Sequence, residues 1–377
     1  MPHVVHLTCS SFFGGPERQI LGLSTHLAGD FQNTLVVFSE NGKCCEFQDA
    51  ARLVGVPCYT ISDDLSGTFS LVNQLKQIIV NIDADVLCCH GYKANLIGNL
   101  TAQSINLPIV IILRGWTGEN KKVKIYEMLD KAMLTKKSLV ICLSNAQVRE
   151  VIKVGVPEEN IRLIPNAVSL ERFSQRVFSP CGDFGDYFPN KSNFICCSAG
   201  RLSPEKGFVD LVYVAKESKK KKLPVNFVLF GDGPLRSLIH KTIIQEDLEE
   251  QFYLPGFSTK LDNILPSCDI LLIPSYTEGI PNILLEGLAA GVAVVATCVG
   301  GIPDLITDGR NGFLVQPGDV ATMSKRIELL TNDKQLRSTF NKAGRMLVES
   351  GFSFDLQAEK YRALFHQIID RSVIKNN

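Results

Sequence analysis

The sequence has no excess of either charge. Its 39 basic residues match 39 acidic ones and the pI is near 7.0, which removes the global attraction expected of a nucleic-acid binder. It has no long apolar run, so nothing approaches the ~20 residues that span a bilayer. The N-terminus, MPHVVHLTCSSFFGG, shows no basic stretch leading into an apolar core of signal-peptide length, and a cytosolic protein is expected. Zinc-like spacing is missing among the 12 cysteines and 6 histidines, while His3 and His6 would point to opposite faces of a strand. No metal is expected. Many cysteines lie inside apolar runs, as in DVLCCH, FICCSAG and LVICLS, and read as buried free thiols.

What is present is a repeated unit. A chain of 377 residues suits two domains, each with its own core. Short β-branched runs alternate with stretches of helical length, the pattern of βα units around a parallel sheet. In the first half the strand candidates are Val4–Thr8, Thr34–Phe38, Val86–His90, Ile109–Leu113 and Leu139–Leu143. A stretch without period, rich in Phe, Pro, Gly and Asp, reads as a linker over 173–193. The pattern restarts with FICCSAG, NFVLFGDG, QFYLPGF, DILLIPS and VAVVAT. Two doubly wound domains are expected, 1–172 and 194–351. The segment 352–377 places Phe354, Ala358, Tyr361, Leu364, Phe365 and Ile368 at helical spacing. The basic run Lys216–Lys222 reads as a solvated helix end.

Ligands of open α/β sheets bind beyond the carboxyl ends of the strands, so the residues after each strand carry the chemistry. SYTEGIPNILLEGLAAG sets Glu278 and Glu286 eight positions apart among apolar side chains. Pro281 suits the first position of a helix and Gly291 its stop. That helix would present the N–H groups of Asn282, Ile283 and Leu284 to a phosphate. A carboxylate beside an anion site needs hydrogen-bond donors, and sugar hydroxyls supply them to Glu278. Glu286, in line with Asn282, could accept from a ribose. The bland alternative is an ordinary solvated helix face, which the apolar neighbours Ile283, Leu285 and Leu288 leave little room for. In AGRLSPEKGFVDLV, Arg201 and Lys206 stand at another strand end, and two cations there could neutralise a diphosphate.

GRLSPEKG, GDGPL, LPGF, EGIPNILLEGLAAGVAVVAT, GGIPDLITDGRNGFLV and the earlier LSNA and IPNAVSLERF resemble the motifs of the retaining, nucleotide-sugar-dependent glycosyltransferases of family four. The resemblance runs along nearly the whole chain. It implies the GT-B fold: two Rossmann-like domains facing across a cleft, with a C-terminal helix crossing back to the first. It implies that Arg201 and Lys206 bind the donor diphosphate, Glu278 the transferred sugar and Glu286 the ribose. The loop Gly279, Ile280 and Pro281 leads into the phosphate-facing Asn282 and Ile283, and backbone near Phe257 and Ser258 holds the base. The implied donor is a UDP-sugar, the acceptor a saccharide or lipid-linked sugar in cell-surface polysaccharide or glycolipid synthesis. No cofactor beyond the donor is implied. A lipid-linked acceptor would bring the enzyme to the inner face of the membrane without a span.

In the first half, Gly14 and Gly15 after the first strand would let backbone approach phosphates or acceptor. His90 ends another strand in CCHGYKAN, which makes it a catalytic candidate as well as a structural one. Relatives often carry a histidine where Arg114 stands, in IILRGWTGEN. Arginine cannot serve as a general base, though it can hold phosphate or an acidic acceptor. Trp116, the only tryptophan, reads as packing, and the stretch from Arg114 to Met133 as acceptor-side. The acidic triplet Asp83–Asp85 precedes its strand and is set aside as a metal site. Two other classes stay open: a nucleotide-sugar epimerase or phosphorylase on the same fold, and a non-catalytic scaffold. Product formed from UDP-sugar alone, a phosphate requirement, or a failure to bind nucleotide would mark them.

Overall fold

A computed structural model of the chain describes residues 1–10, 13–62, 67–116, 121–134, 139–173 and 193–376. The expected linker lies, apart from its two end residues, outside the described residues. The chain divides into two compact units, one formed by Met1–Ala167 with Phe354–Asn377 and the other by Val168–Ser353.

In the first unit the strands are β1 (His3–Thr8), β2 (Gln32–Phe38), β3 (Cys58–Ile61), β4 (Val86–His90), β5 (Ile109–Ile112), β6 (Leu139–Cys142) and β7 (Ile161–Leu163). They pair in parallel in the order β3-β2-β1-β4-β5-β6-β7. Neighbouring residues of a strand face opposite layers, and Cys88 and Cys89 show it. Cys88 packs in the layer that holds Val4, Phe31, Tyr361 and Phe365, while Cys89 packs with Leu75, Ile79 and Ile97. Among the described residues all cysteines are free thiols.

The C-terminal helix Phe354–Asn376 belongs to this first unit. Its apolar spacing does what the sequence leads one to expect, burying Phe354, Ala358, Tyr361, Leu364 and Phe365. Each large side chain so buried contributes roughly 1.5–3 kcal/mol. The ring of Phe354 fills the space where a side chain on Gly22 would stand, 2.2 Å from where its Cβ would lie.

The second unit repeats the plan with β8 (Phe194–Ala199), β9 (Val225–Phe230), β10 (Phe252–Gly256), β11 (Ile270–Ile273), β12 (Ala293–Thr297) and β13 (Phe313–Val315). Their order is β10-β9-β8-β11-β12-β13, again parallel. The strands absent from the sequence reading are β3, β7 and β13, at sheet edges. They are three or four residues long, and the first exposes Tyr59 and Thr60, so none offers an apolar run of ordinary strand length. Four lysines of the basic run are ion-paired: Lys216 with Glu246, Lys219 with Asp247, Lys220 with Glu217 and Lys221 with Glu328. That suits a solvated helix end.

Candidate active site

In the second unit the order of strands reverses between β8 and β11, the switch point at which open α/β sheets form a ligand crevice. Arg201 to Gly207 follow β8, and Pro274 to Pro281 follow β11. Across this point Lys206 Nζ donates to both carboxylate oxygens of Glu278, at 2.8 and 2.9 Å. Ser275 Oγ adds a third hydrogen bond to Oε1 at 2.7 Å. The Glu278 side chain is only 8% exposed and that of Lys206 24%. A carboxylate so enclosed keeps its charge only with donors around it. A phosphate that drew Lys206 away would have to arrive with replacement donors for Glu278.

Backbone brings the two loops together. Gly207 has φ +66°, and a Cβ there would stand 2.1 Å from the carbonyl oxygen of Pro274. Gly300, after β12, has φ +54°, and its Cβ would stand 1.7 Å from the carbonyl oxygen of Glu278. Only glycine satisfies both the left-handed backbone and the close approach. Tyr276 N–H donates to Glu205 O and Gly301 N–H to Gly279 O, each at 2.8 Å. Tyr276 OH donates to Asp210 at 2.5 Å, and that carboxylate raises the phenol to about 12. Ser275, Tyr276 and Gly300 had no role in the sequence reading. The glycine pair after VAVVAT was the available signal for the last of them.

The helix beyond Glu278 covers Asn282–Ala290, one residue shorter than expected. Pro281 is its N-cap, with ψ 129°, so the extended backbone of the loop continues through the proline. Gly291, at φ 70°, ends the helix in the left-handed conformation. Of the three N–H groups expected to face a ligand, that of Leu284 donates to Pro281 O at 3.1 Å. Asn282, Ile283 and Glu286 are half-buried and Ile280 is buried. Arg201 is exposed at the end of β8. Phe257 is exposed after β10, and Ser258 Oγ accepts from Lys260 N–H at 3.2 Å.

The first unit reverses its order between β1 and β4. Gly14 caps the helix Gly15–Leu27, and its N–H donates to Glu17 Oε2 at 2.9 Å. That N–H serves the helix cap. Gly15 is the first residue of the helix. Burial pushes the Glu17 carboxyl up.

At the end of β4, His90 is engaged on both sides. Arg114 Nη2 lies 2.9 Å from its Nδ1, and His6 Nδ1 lies 3.2 Å from its Nε2. A guanidinium only donates, so Nδ1 accepts and the neutral ring carries its proton on Nε2. That N–H donates to His6 Nδ1, which leaves the His6 proton on Nε2, a buried atom without a hydrogen-bond partner; these tautomers are assigned from the network. Burial, then Arg114 and His6, hold His90 well below the ordinary histidine value. Burial is also the main cause that lowers His6 to about 4, against a favourable contact with Asn33. Arg114 is part-exposed and rests on this neutral stack.

Trp116 donates to Asp130 Oδ2 at 3.0 Å, with Lys131 4.4 Å from its ring centre. Asp85, at the amino end of β4, accepts from the His3 N–H at 2.7 Å. Among the described residues no three His, Cys, Asp or Glu side chains are placed to hold a metal. None of their helices is long and apolar enough to cross a membrane.

Two family models match consecutive parts of the chain. The one described as Glycosyltransferase Family 4 matches residues 13–172, and the one described as Glycosyl transferases group 1 matches residues 183–346. The chain is 25% identical to the UDP-Gal:alpha-D-GlcNAc-diphosphoundecaprenol alpha-1,3-galactosyltransferase of Escherichia coli, over 97% of each chain. It is 24% identical to the capsular polysaccharide biosynthesis glycosyltransferase CapM of Staphylococcus aureus, covering 74% of this chain and 76% of that one. Among solved structures it is similar to Anabaena Alr3699/HepE in complex with UDP and glucose. That likeness has a TM-score of 0.85 at 19% identity, over 97% of this chain and 100% of the other.

Proposed function

Because this chain is a glycosyltransferase that belongs to family 4 and has the GT-B fold, we propose that it moves a hexose or related sugar from UDP to an acceptor, with the anomeric configuration kept. The observation that carries the reading is the Lys206–Glu278 pair at the β8/β11 switch point. A nucleoside diphosphate sugar supplies both replacements at once. Its diphosphate takes Lys206, together with Arg201, and its sugar hydroxyls donate to Glu278. Asn282 and Ile283 at the helix start add backbone N–H groups, Glu286 accepts from the ribose, and backbone at Phe257 and Ser258 meets the base. No metal is needed where two cations cover the diphosphate.

In the reaction the bond between the anomeric carbon and the phosphate oxygen breaks with its electron pair moving to phosphate. Arg201 and Lys206 stabilise the charge that develops there, as an oxocarbenium-like sugar is taken by an acceptor hydroxyl whose proton passes to the departing phosphate oxygen. His90, neutral and occupied at both nitrogens, is a positioning residue for Arg114 rather than a proton donor. The first unit takes the acceptor. A lipid-linked saccharide of cell-surface polysaccharide or glycolipid synthesis is supported by the names of the E. coli and S. aureus relatives.

The test is turnover of UDP-sugars with a lipid-diphosphate-linked saccharide. Arg201→Ala and Lys206→Ala are each expected to lower kcat/KM about 100-fold or more, and the product anomer is read by NMR. Unchanged turnover in both variants, or an inverted anomer, sinks the corresponding part. An epimer formed from UDP-sugar alone would place the chain in the other enzyme class.

A further inference from the structure

A cation drawn out of water needs an opposite charge beside it. Lys206 has one, in Glu278. Arg114, half-buried at the end of β5, has a neutral imidazole instead: Nη2 donates to His90 Nδ1 at 2.9 Å, and the buried Nε makes no hydrogen bond among the described residues. The titratable groups that face it do not supply the missing charge. His90 and His6 are held neutral by burial and by the guanidinium itself. Tyr361 is enclosed, and burial pushes its phenol up. Glu17 is the carboxylate that acts on Arg114, but it spends Oε2 on the Gly14 N–H at 2.9 Å and burial pushes its carboxyl up. Burial is accordingly the main cause that lowers Arg114 itself.

A strut for His90 would not need a charge, since an amide donates to Nδ1 as well. The place suits a ligand. β4 and β5 pair at His90 and Ile112, beside the β1/β4 reversal where an open α/β sheet forms its crevice. The helix Tyr92–Ile105 begins two residues after His90 with no acid in its first turn, so the positive end of its dipole adds to the field; Lys93 in that turn is paired with Glu40 at 2.8 Å. We propose that Arg114 is a specificity-determining cation of the acceptor site, pairing with an oxyanion carried by the acceptor, either a phosphate of a diphosphate linkage or a carboxylate of an acidic sugar. A guanidinium fork matches both groups. The neutral histidines hold the fork without cancelling its charge, which a carboxylate in their place would do. The proposal deepens the reading that the first unit takes the acceptor, and rests on it.

Trp116, the only tryptophan and close to Arg114 in the chain, reports binding by fluorescence. The full chain, with UDP in excess to occupy the donor residues, is titrated with inorganic pyrophosphate, with methyl glucuronide and with uncharged methyl glucoside. At least one anion is expected to bind and the glucoside is not. Tighter pyrophosphate assigns the oxyanion to a diphosphate linkage, tighter glucuronide to an acidic sugar, and either order supports the proposal. Arg114→Gln, whose amide can still donate to His90, is expected to weaken the favoured anion about tenfold or more. Arg114→Lys keeps the charge without the fork and should weaken it less, which decides the matter if the glutamine variant does not fold. UDP affinity is measured by calorimetry on the same samples and is expected to be the same in both variants as in wild type. A chain that binds no UDP fails the donor reading alone, since the Trp116 signal reads the first unit. Binding of neither anion overturns the proposal, as does an equal response to the glucoside or wild-type anion affinity in either variant.

Discussion

At the carboxyl ends of β8 and β11 a lysine and a glutamate neutralise each other, whereas at the ends of β4 and β5 an arginine rests on a neutral histidine. Both places lie at or beside the reversal of strand order in their own sheets, so topology alone does not separate them. On the proposed function the pair in the second unit is exchangeable, since each partner would trade the other for a ligand group of matching chemistry. The stack in the first unit is a support. Its imidazoles pass hydrogen bonds from Arg114 inward to a buried end at His6, and no carboxylate bonds the guanidinium directly among the described residues. On that proposal one site would be rearranged by a ligand, while the other holds a cation still.

The sharpest way to break this comparison is at two glycines that both have positive φ. Gly300→Ala drives a Cβ to 1.7 Å from Glu278 O and is expected to cost about 4 kcal/mol or prevent folding. Gly91→Ala, at φ +94° beside His90 with nothing within 4 Å, is expected to cost only the backbone term of about 1 kcal/mol. Denaturant unfolding measures both, and equal costs would show that close approach does not hold the second site together.

Next in size is acid sensitivity of the first unit. His6 has its pKa lowered from 6.5 to about 4, so between those values the unfolded chain binds a proton that the folded chain refuses. Stability from this group is complete above about pH 6.5 and is lost as pH falls toward 4, about 3 kcal/mol in all. His90 acts in the same sense and Glu17, with its raised carboxyl, in the opposite one. The wild-type protein is therefore compared with His6→Asn, which should remove most of its share of the slope. Trp116, the only tryptophan, reports the first unit by fluorescence. A wild-type slope no steeper than that of the variant would show that His6 is not held neutral.

The smallest effect sharpens the exchange in the second unit. Glu278→Gln frees Lys206 from its carboxylate, so UDP is expected to bind as well as to wild type or a few-fold more tightly. UDP-sugar turnover should fall, because the sugar loses its charged acceptor. Calorimetry with UDP beside turnover separates the two, and weaker UDP binding in this variant would show that Glu278 does not compete with phosphate for Lys206.

Where the sequence was legible, the signal was local. A β-branched run ending in Gly, Pro or Ser and followed by a charge marks a strand end whether or not its neighbours are known. Arg201, Lys206, Glu278 and the helix stop at Gly291 could be found in that way. The short edge strands lacked such runs. The start of the helix after Pro281 shifted by one residue because a proline can cap as readily as begin a helix. The His6–His90–Arg114 stack was hidden for a different reason. Its members are 84 and 24 residues apart, and each looks in its own strand like a solitary polar residue.

By itself, then, the order of residues determined the alternation of strand and helix, the family, and the charges that stand at strand ends, since periodicity and turn chemistry act over a few positions. Tertiary structure alone decided which of those charges touch. It paired Lys206 with Glu278 by closing two loops through Gly207, placed Gly300 against the Glu278 backbone, and rested Arg114 on His90 and His6. Contacts of that kind depend on how sheets bring distant segments together, and short-range pattern carries no record of them.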